Sequence, residues 1–188
     1  MPLALGSVLM SLTACQPEQP ATDGLPLATA ASHADHDHDH REAGAHVHGA
    51  GDFTLVLEGN SLNIGFVVPA IDILGFEHLP ANDTERQQLQ AMVDLLATPA
   101  SLLNLPEAAN CQLQDARVTS LVLDEGAVSH GDFELHYEWL CQSTAQLSAL
   151  TLTLFDRFPS LQQLQGSWIV HDRQGAQVFS PDRPTFTF

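Results

Sequence analysis

The sequence predicts an α+β domain: a mainly antiparallel β-sheet with one main helix packed on it, preceded by a disordered tail rich in His and Asp. Three observations carry this reading. Phe53–Leu57 and Leu62–Phe66 alternate apolar with small or polar side chains, the period-two pattern of half-buried strands. Leu89, Met92, Val93 and Leu96 recur at i, i+3, i+4 and i+7, one apolar stripe on a helix. Residues 16–45 hold mostly Pro, Ala, Thr, Gln and polar groups, with too little apolar surface to offset the entropy of ordering.

Residues 1–15 read as a signal peptide with a lipobox. MPLALGSVLMSLTA is apolar and small, shorter than the ~20 residues a membrane-spanning helix needs, and Leu12-Thr13-Ala14-Cys15 places small residues before a Cys that would carry lipid. No Lys or Arg precedes Arg41, so either the start is misassigned and the positive opening segment lies upstream, or the signal is atypical. The expected address is the periplasm or cell envelope of a Gram-negative bacterium, with contact to the membrane only through the lipid.

Within the 16–45 linker sits His33-Ala34-Asp35-His36-Asp37-His38-Asp39-His40. Imidazole beside carboxylate is the pairing found in divalent-metal sites, so His33, His36, His38 and His40 read as a low-affinity metal tract.

The domain is expected over residues 46–188. It opens with His46 and His48, runs through the two strand-like segments around a Glu58-Gly59-Asn60-Ser61 turn, and continues into Ile71–Phe76, a short apolar turn, and then Glu77-His78. Gly and Asn suit the turn because both tolerate positive φ. Paired strands lie ~5 Å apart, so a hairpin with histidines at its entrance and just past its exit can bring them together. A helix follows, with Asn82 and Glu85 or Thr84 and Gln87 spaced as a capping box, and Pro99 to stop it. Later strand candidates are Cys111–Leu123, Asp132–Cys141, Leu150–Phe155, Ser167–His171, Gln177–Phe179 and Thr185–Phe188. One or two helical turns are expected over Phe158–Leu164 and a hairpin turn at Asp172–Gly175.

With Cys15 assigned to lipid, Cys111 and Cys141 remain. An isolated pair in an oxidising compartment is expected to form a disulfide rather than to ligate zinc. The two cysteines stand at the outer ends of a candidate hairpin, where strand pairing brings them together.

Zinc sites take His, Cys or carboxylate donors, usually in four-coordinate sets. His46 and His48 share a face if the segment is extended. His78 and His130 are the candidates to complete the set. Glu77 or Asp132 either ligates or holds a ligand's second nitrogen. His136 and His171 read as structural. The same imidazoles take Cu(II), Ni(II) and Co(II), so residue type alone does not select the metal.

A formal net charge of −17 over 188 residues speaks against nucleic acid or an anionic membrane surface as a partner and suits attraction of cations. No H-E-x-x-H, G-x-S-x-G or phosphate-cradling glycine loop is present.

The ordered set His46-Val47-His48-Gly49, Leu55–Asn60, Gly75-Phe76-Glu77-His78, His130-Gly131-Asp132-Phe133, Tyr137, Cys141 and Leu154–Pro159 resembles the ZrgA family of periplasmic zinc-uptake proteins. The resemblance implies an α+β zinc binder without catalytic activity that assists an envelope importer, with the binding protein of a zinc ABC importer as partner. The lipobox, and a short His tract that precedes the core, depart from the family's simple pattern. Two other readings are a zinc hydrolase with Glu77 or Glu134 as base, and a structural lipoprotein with incidental histidines. Zinc-dependent hydrolysis of generic esters and phosphates separates the first; absence of metal binding near neutral pH separates the second.

Overall fold

Phe53, Leu55 and Leu57 alternate with exposed or half-buried neighbours and bury one face of β1 (Ala50–Glu58). Leu62, Ile64, Phe66 and Val68 do the same for β2 (Ser61–Pro69). Each such side chain taken from water contributes ~1.5–3 kcal/mol. The turn between them uses Gly59 at φ 59°, and the strands pair from Glu58↔Ser61 to Asp52↔Val67. This computed structural model describes residues 47–120 and 131–188. The expected signal, linker, His/Asp tract, Cys15, His46 and His130 therefore lie outside the described residues, as do 121–123 of the Cys111–Leu123 strand.

After β2 the chain enters α1 (Ala70–Leu74), closed by Gly75 in the left-handed conformation at φ 87°. The helix α2 (Asp83–Leu96) starts at Asn82, whose side chain accepts from the Glu85 N–H at 2.9 Å. Glu85 in turn accepts from the Asn82 side-chain amide and from the N–H of Ala81, the residue before the cap. Leu89 and Leu96 of the expected stripe are buried, with Met92 and Val93 packed partly against the same core.

Two sheets follow from the pairing. The larger has the order β4 (Cys111–Ser120), β5 (Asp132–Cys141), β2, β1, β7 (Gln163–Val170), β8 (Arg173–Phe179). The smaller has the order β3 (Leu103–Asn104), β6 (Ala149–Leu152), β9 (Thr185–Thr187). All pairs are antiparallel except β1 with β7. The helix α2, the smaller sheet and the short α3 (Leu154–Arg157) supply residues to the single apolar core on the buried face of the larger sheet. Phe53 sits at its centre, edge-on to Phe66 at 5.2 Å and to Phe179 at 5.0 Å between ring centroids. Tyr137 of β5 is buried beneath α2, and its hydroxyl donates to the Leu96 carbonyl at 2.5 Å. Burial pushes that hydroxyl up from its ordinary 10.0, which keeps the donor protonated.

Three local expectations change. The strand expected over Leu150–Phe155 ends at Leu152, because the N–H groups of Thr153 and Leu154 both turn to the Leu102 carbonyl, at 2.8 and 3.0 Å, and α3 begins. The helical turn expected over Phe158–Leu164 thus lies earlier, and β7 begins at Gln163 because it lies alongside β1 from Ala50↔Gln163 onward. The turn expected at Asp172–Gly175 moves to His171-Asp172, with His171 at φ 54°. Gly175 is a strand residue: a Cβ there would come within 2.5 Å of the Trp168 ring, so its glycine makes room for an indole rather than for a turn.

Candidate metal centre

The site begins where β1 begins. Ala50 N–H donates to the Val47 carbonyl at 3.0 Å, so Val47–Ala50 is a turn. Gly49 takes φ 81° within it, a conformation that favours glycine. The expected extended H-x-H geometry does not hold at His48, which stands on a turn at the mouth of the sheet and is exposed. Gly49 is fixed from three directions. Its N–H donates to the buried Asp72 carboxylate at 2.7 Å, and its carbonyl accepts from Gln162 and Gln163 at 2.7 and 3.0 Å.

Glu77 reaches the same place from the loop after α1. Its Oε2 lies 4.0 Å from His48 Nε2, with side-chain exposures of 19% and 61% for Glu77 and His48. That carboxylate oxygen is itself buried. At the hairpin mouth the group that approaches His48 is thus Glu77.

His78 faces a different set of partners. Its Nδ1 donates to the Leu79 carbonyl at 2.9 Å and lies 3.9 Å from Glu85, and its ring stacks on Phe76 at 5.0 Å. This leaves Nε2 as the ring's remaining donor atom for a cation.

Asp132 opens β5 opposite Pro69, the last residue of β2, and one of its carboxylate oxygens is buried. The Gly131 carbonyl, between the positions of His130 and Asp132, accepts from the Ala70 N–H at 2.8 Å. One short helix thus holds backbone beside both His48 and Asp132. His136 and His171 are exposed, the first on the outer face of the larger sheet, the second in the β7–β8 turn. Glu134, the other base considered for a hydrolase, is also exposed on that outer face.

Among the described residues, no three His, Cys, Asp or Glu side chains gather closely enough to hold a metal ion. The pair that does meet has suitable chemistry. Imidazole and carboxylate are both zinc donors, and two donors at ~2.0–2.2 Å from a tetrahedral zinc lie ~3.3–3.5 Å apart. The 4.0 Å between His48 and Glu77 is a small side-chain adjustment away from that.

Cys111 and Cys141 are joined in a disulfide, and they face each other directly in the β4–β5 register, 30 residues apart in sequence. They are therefore not metal ligands in this state. Sequence reasoning passed over Asp72, which carried no signal beyond being an acidic residue in an apolar turn. Among the described residues no helix is long and apolar enough to cross a membrane.

Comparison with known proteins gives one finding. A family model described as ZrgA family zinc uptake protein matches residues 45–188. No curated protein sequence matches the chain.

Proposed function

The chain belongs to the ZrgA family of zinc uptake proteins, and on that premise we propose that it captures Zn2+ in the bacterial envelope and assists its delivery to an importer, without catalysing a reaction. The tight site is built on His48 and Glu77, with His46, His130 and Asp132 as the groups that complete it and His78 as an outlying capture ligand. The observation that carries this reading is the approach of His48 to Glu77 from two separate segments. It is supported by the net charge of −17, which draws cations toward the protein.

Binding is proposed to come in two tiers. A site whose ligands are already held does not have to order them on binding, so it is the tighter. The tract at His33, His36, His38 and His40 must arrange itself around each ion and binds more weakly. Calorimetric titration of the mature chain with and without residues 33–40 tests this. The deletion is expected to remove the weak equivalents and leave the first, tight one. Loss of the tightest equivalent would instead assign function to the tract. Both tiers need neutral imidazole, so acidification is expected to release metal as protons compete for the ligands.

The zinc importer's binding protein is the proposed recipient, and Cys15 the proposed site of a lipid anchor. Cys15→Ser is then expected to shift the protein from the membrane fraction to the soluble fraction or to trap the precursor. Wild-type protein found unmodified in the soluble periplasm would exclude the anchor.

A further inference from the structure

We propose that α1 is the clamp that sets the geometry of the metal centre, and that Asp72 is its positioning residue; this rests on the assignment of the tight site to His48 and Glu77. The helix is only five residues long, yet it touches every described segment that bears a proposed ligand. Its first N–H, from Ala70, donates to Gly131, one residue before Asp132. Its Asp72 carboxylate accepts from Gly49, one residue after His48, at 2.7 Å. Its left-handed cap, Gly75, turns the chain two residues before Glu77.

The Asp72 side chain links α1 to the turn that carries His48. It is buried, at 8% exposure, so its bond to Gly49 is shielded from water and is charge-assisted. The need for it is local. A turn with Gly49 at φ 81° and an exposed histidine before it has many alternatives on a free surface. The Gln162 and Gln163 N–H groups hold the carbonyl side of Gly49, and Asp72 holds the amide side, the peptide shared with His48. Removing Asp72 frees that peptide to rotate, and the His48 ring with it. Asp72 does not face the ion; it acts through the backbone of a ligand.

The test is titration of the full-length chain with zinc, reading the first equivalent, together with the visible absorption of the cobalt(II) form at one equivalent. Asp72→Ala is expected to weaken the tight site by about tenfold to 100-fold, the range seen when a ligand's orienting partner is lost. Its cobalt spectrum should lose intensity as a ligand becomes disordered. Asp72→Asn keeps an oxygen that can accept from Gly49 and is expected to fall between Asp72→Ala and wild type. A folded Asp72→Ala protein with wild-type affinity and spectrum overturns the proposal. If Asp72→Ala does not fold, wild-type affinity and spectrum in Asp72→Asn overturn it instead. His48→Ala run in parallel separates the two levels. If it abolishes the tight site while the Asp72 variants bind normally, only the positioning role falls. If it leaves the tight site intact, the assignment of the site falls and the positioning role with it.

Discussion

Replacing His46 and His48 together with Ala is expected to abolish the tight zinc site while leaving the weak tier largely intact. Loss of a partner that merely orients a ligand costs ~10–100-fold in metal affinity, so loss of the ligands themselves should cost roughly 100-fold or more. A hundredfold is about 2.8 kcal/mol at ~1.4 kcal/mol per factor of ten. The fold should tolerate the change. His48 is exposed on its turn, and the turn is held through backbone groups of Val47, Gly49 and Ala50 rather than through the imidazole. Calorimetry should therefore show the first equivalent gone, the weaker equivalents retained, and a thermal midpoint without added zinc close to wild type. Retention of the first equivalent would remove the hairpin mouth from consideration and leave the tract as the metal-binding part.

Reducing or removing the Cys111–Cys141 disulfide is expected to produce the largest loss of stability with little effect on zinc. The bridge closes a separation of 30 residues, for which the chain-entropy account gives ~3–4 kcal/mol. It also ties β4, which stands at the end of the described sheet order and has a bulge between Leu113 and Asp115, to its neighbour β5. Cys141 ends β5 and Asp132 begins it, so at ~3.3–3.4 Å per residue the bridge lies ~30 Å along the strand from the proposed centre. Urea unfolding of Cys111→Ser/Cys141→Ser should show a lower midpoint, while the first zinc equivalent keeps its affinity under native conditions. Both cysteines found alkylated in unreduced, periplasm-derived protein would contradict the bridge in the mature molecule.

Much of the fold was legible because the signals were local. Alternation over Phe53–Leu57 and Leu62–Phe66 is a property of neighbours two apart, and it survives into the buried face of the sheet. Asn82 with Glu85 is a property of neighbours three apart, and the Asn82 side chain does accept from the Glu85 N–H. Where a local signal had two meanings, the reading went astray. Gly175 looked like a turn residue, and it lies instead in β8 under the Trp168 ring, a cross-strand contact that its own neighbours in sequence do not announce. Leu154 and Phe155 looked like the end of a strand, and the Leu102 carbonyl from a distant loop bends them into α3.

The chemistry of the metal centre was in the sequence, and its geometry was not. Imidazoles and carboxylates are visible as residue types, and the pairing of Cys111 with Cys141 could be argued from their number and their places on adjoining strands. Nothing in residue order told Glu77 from His78 as the group that approaches His48. That choice depends on α1, on the left-handed Gly75, and on Phe76 and the Leu79 carbonyl holding the neighbouring imidazole. The parallel pairing of β1 with β7, which carries Gln162 and Gln163 to the Gly49 carbonyl, was equally hidden. Residue type and short-range periodicity are written along the chain, where each side chain answers to neighbours within a turn or a pleat. Register between strands a hundred residues apart, and the reach of Asp72 to Gly49, are decided only when burial of the common core chooses one packing among many.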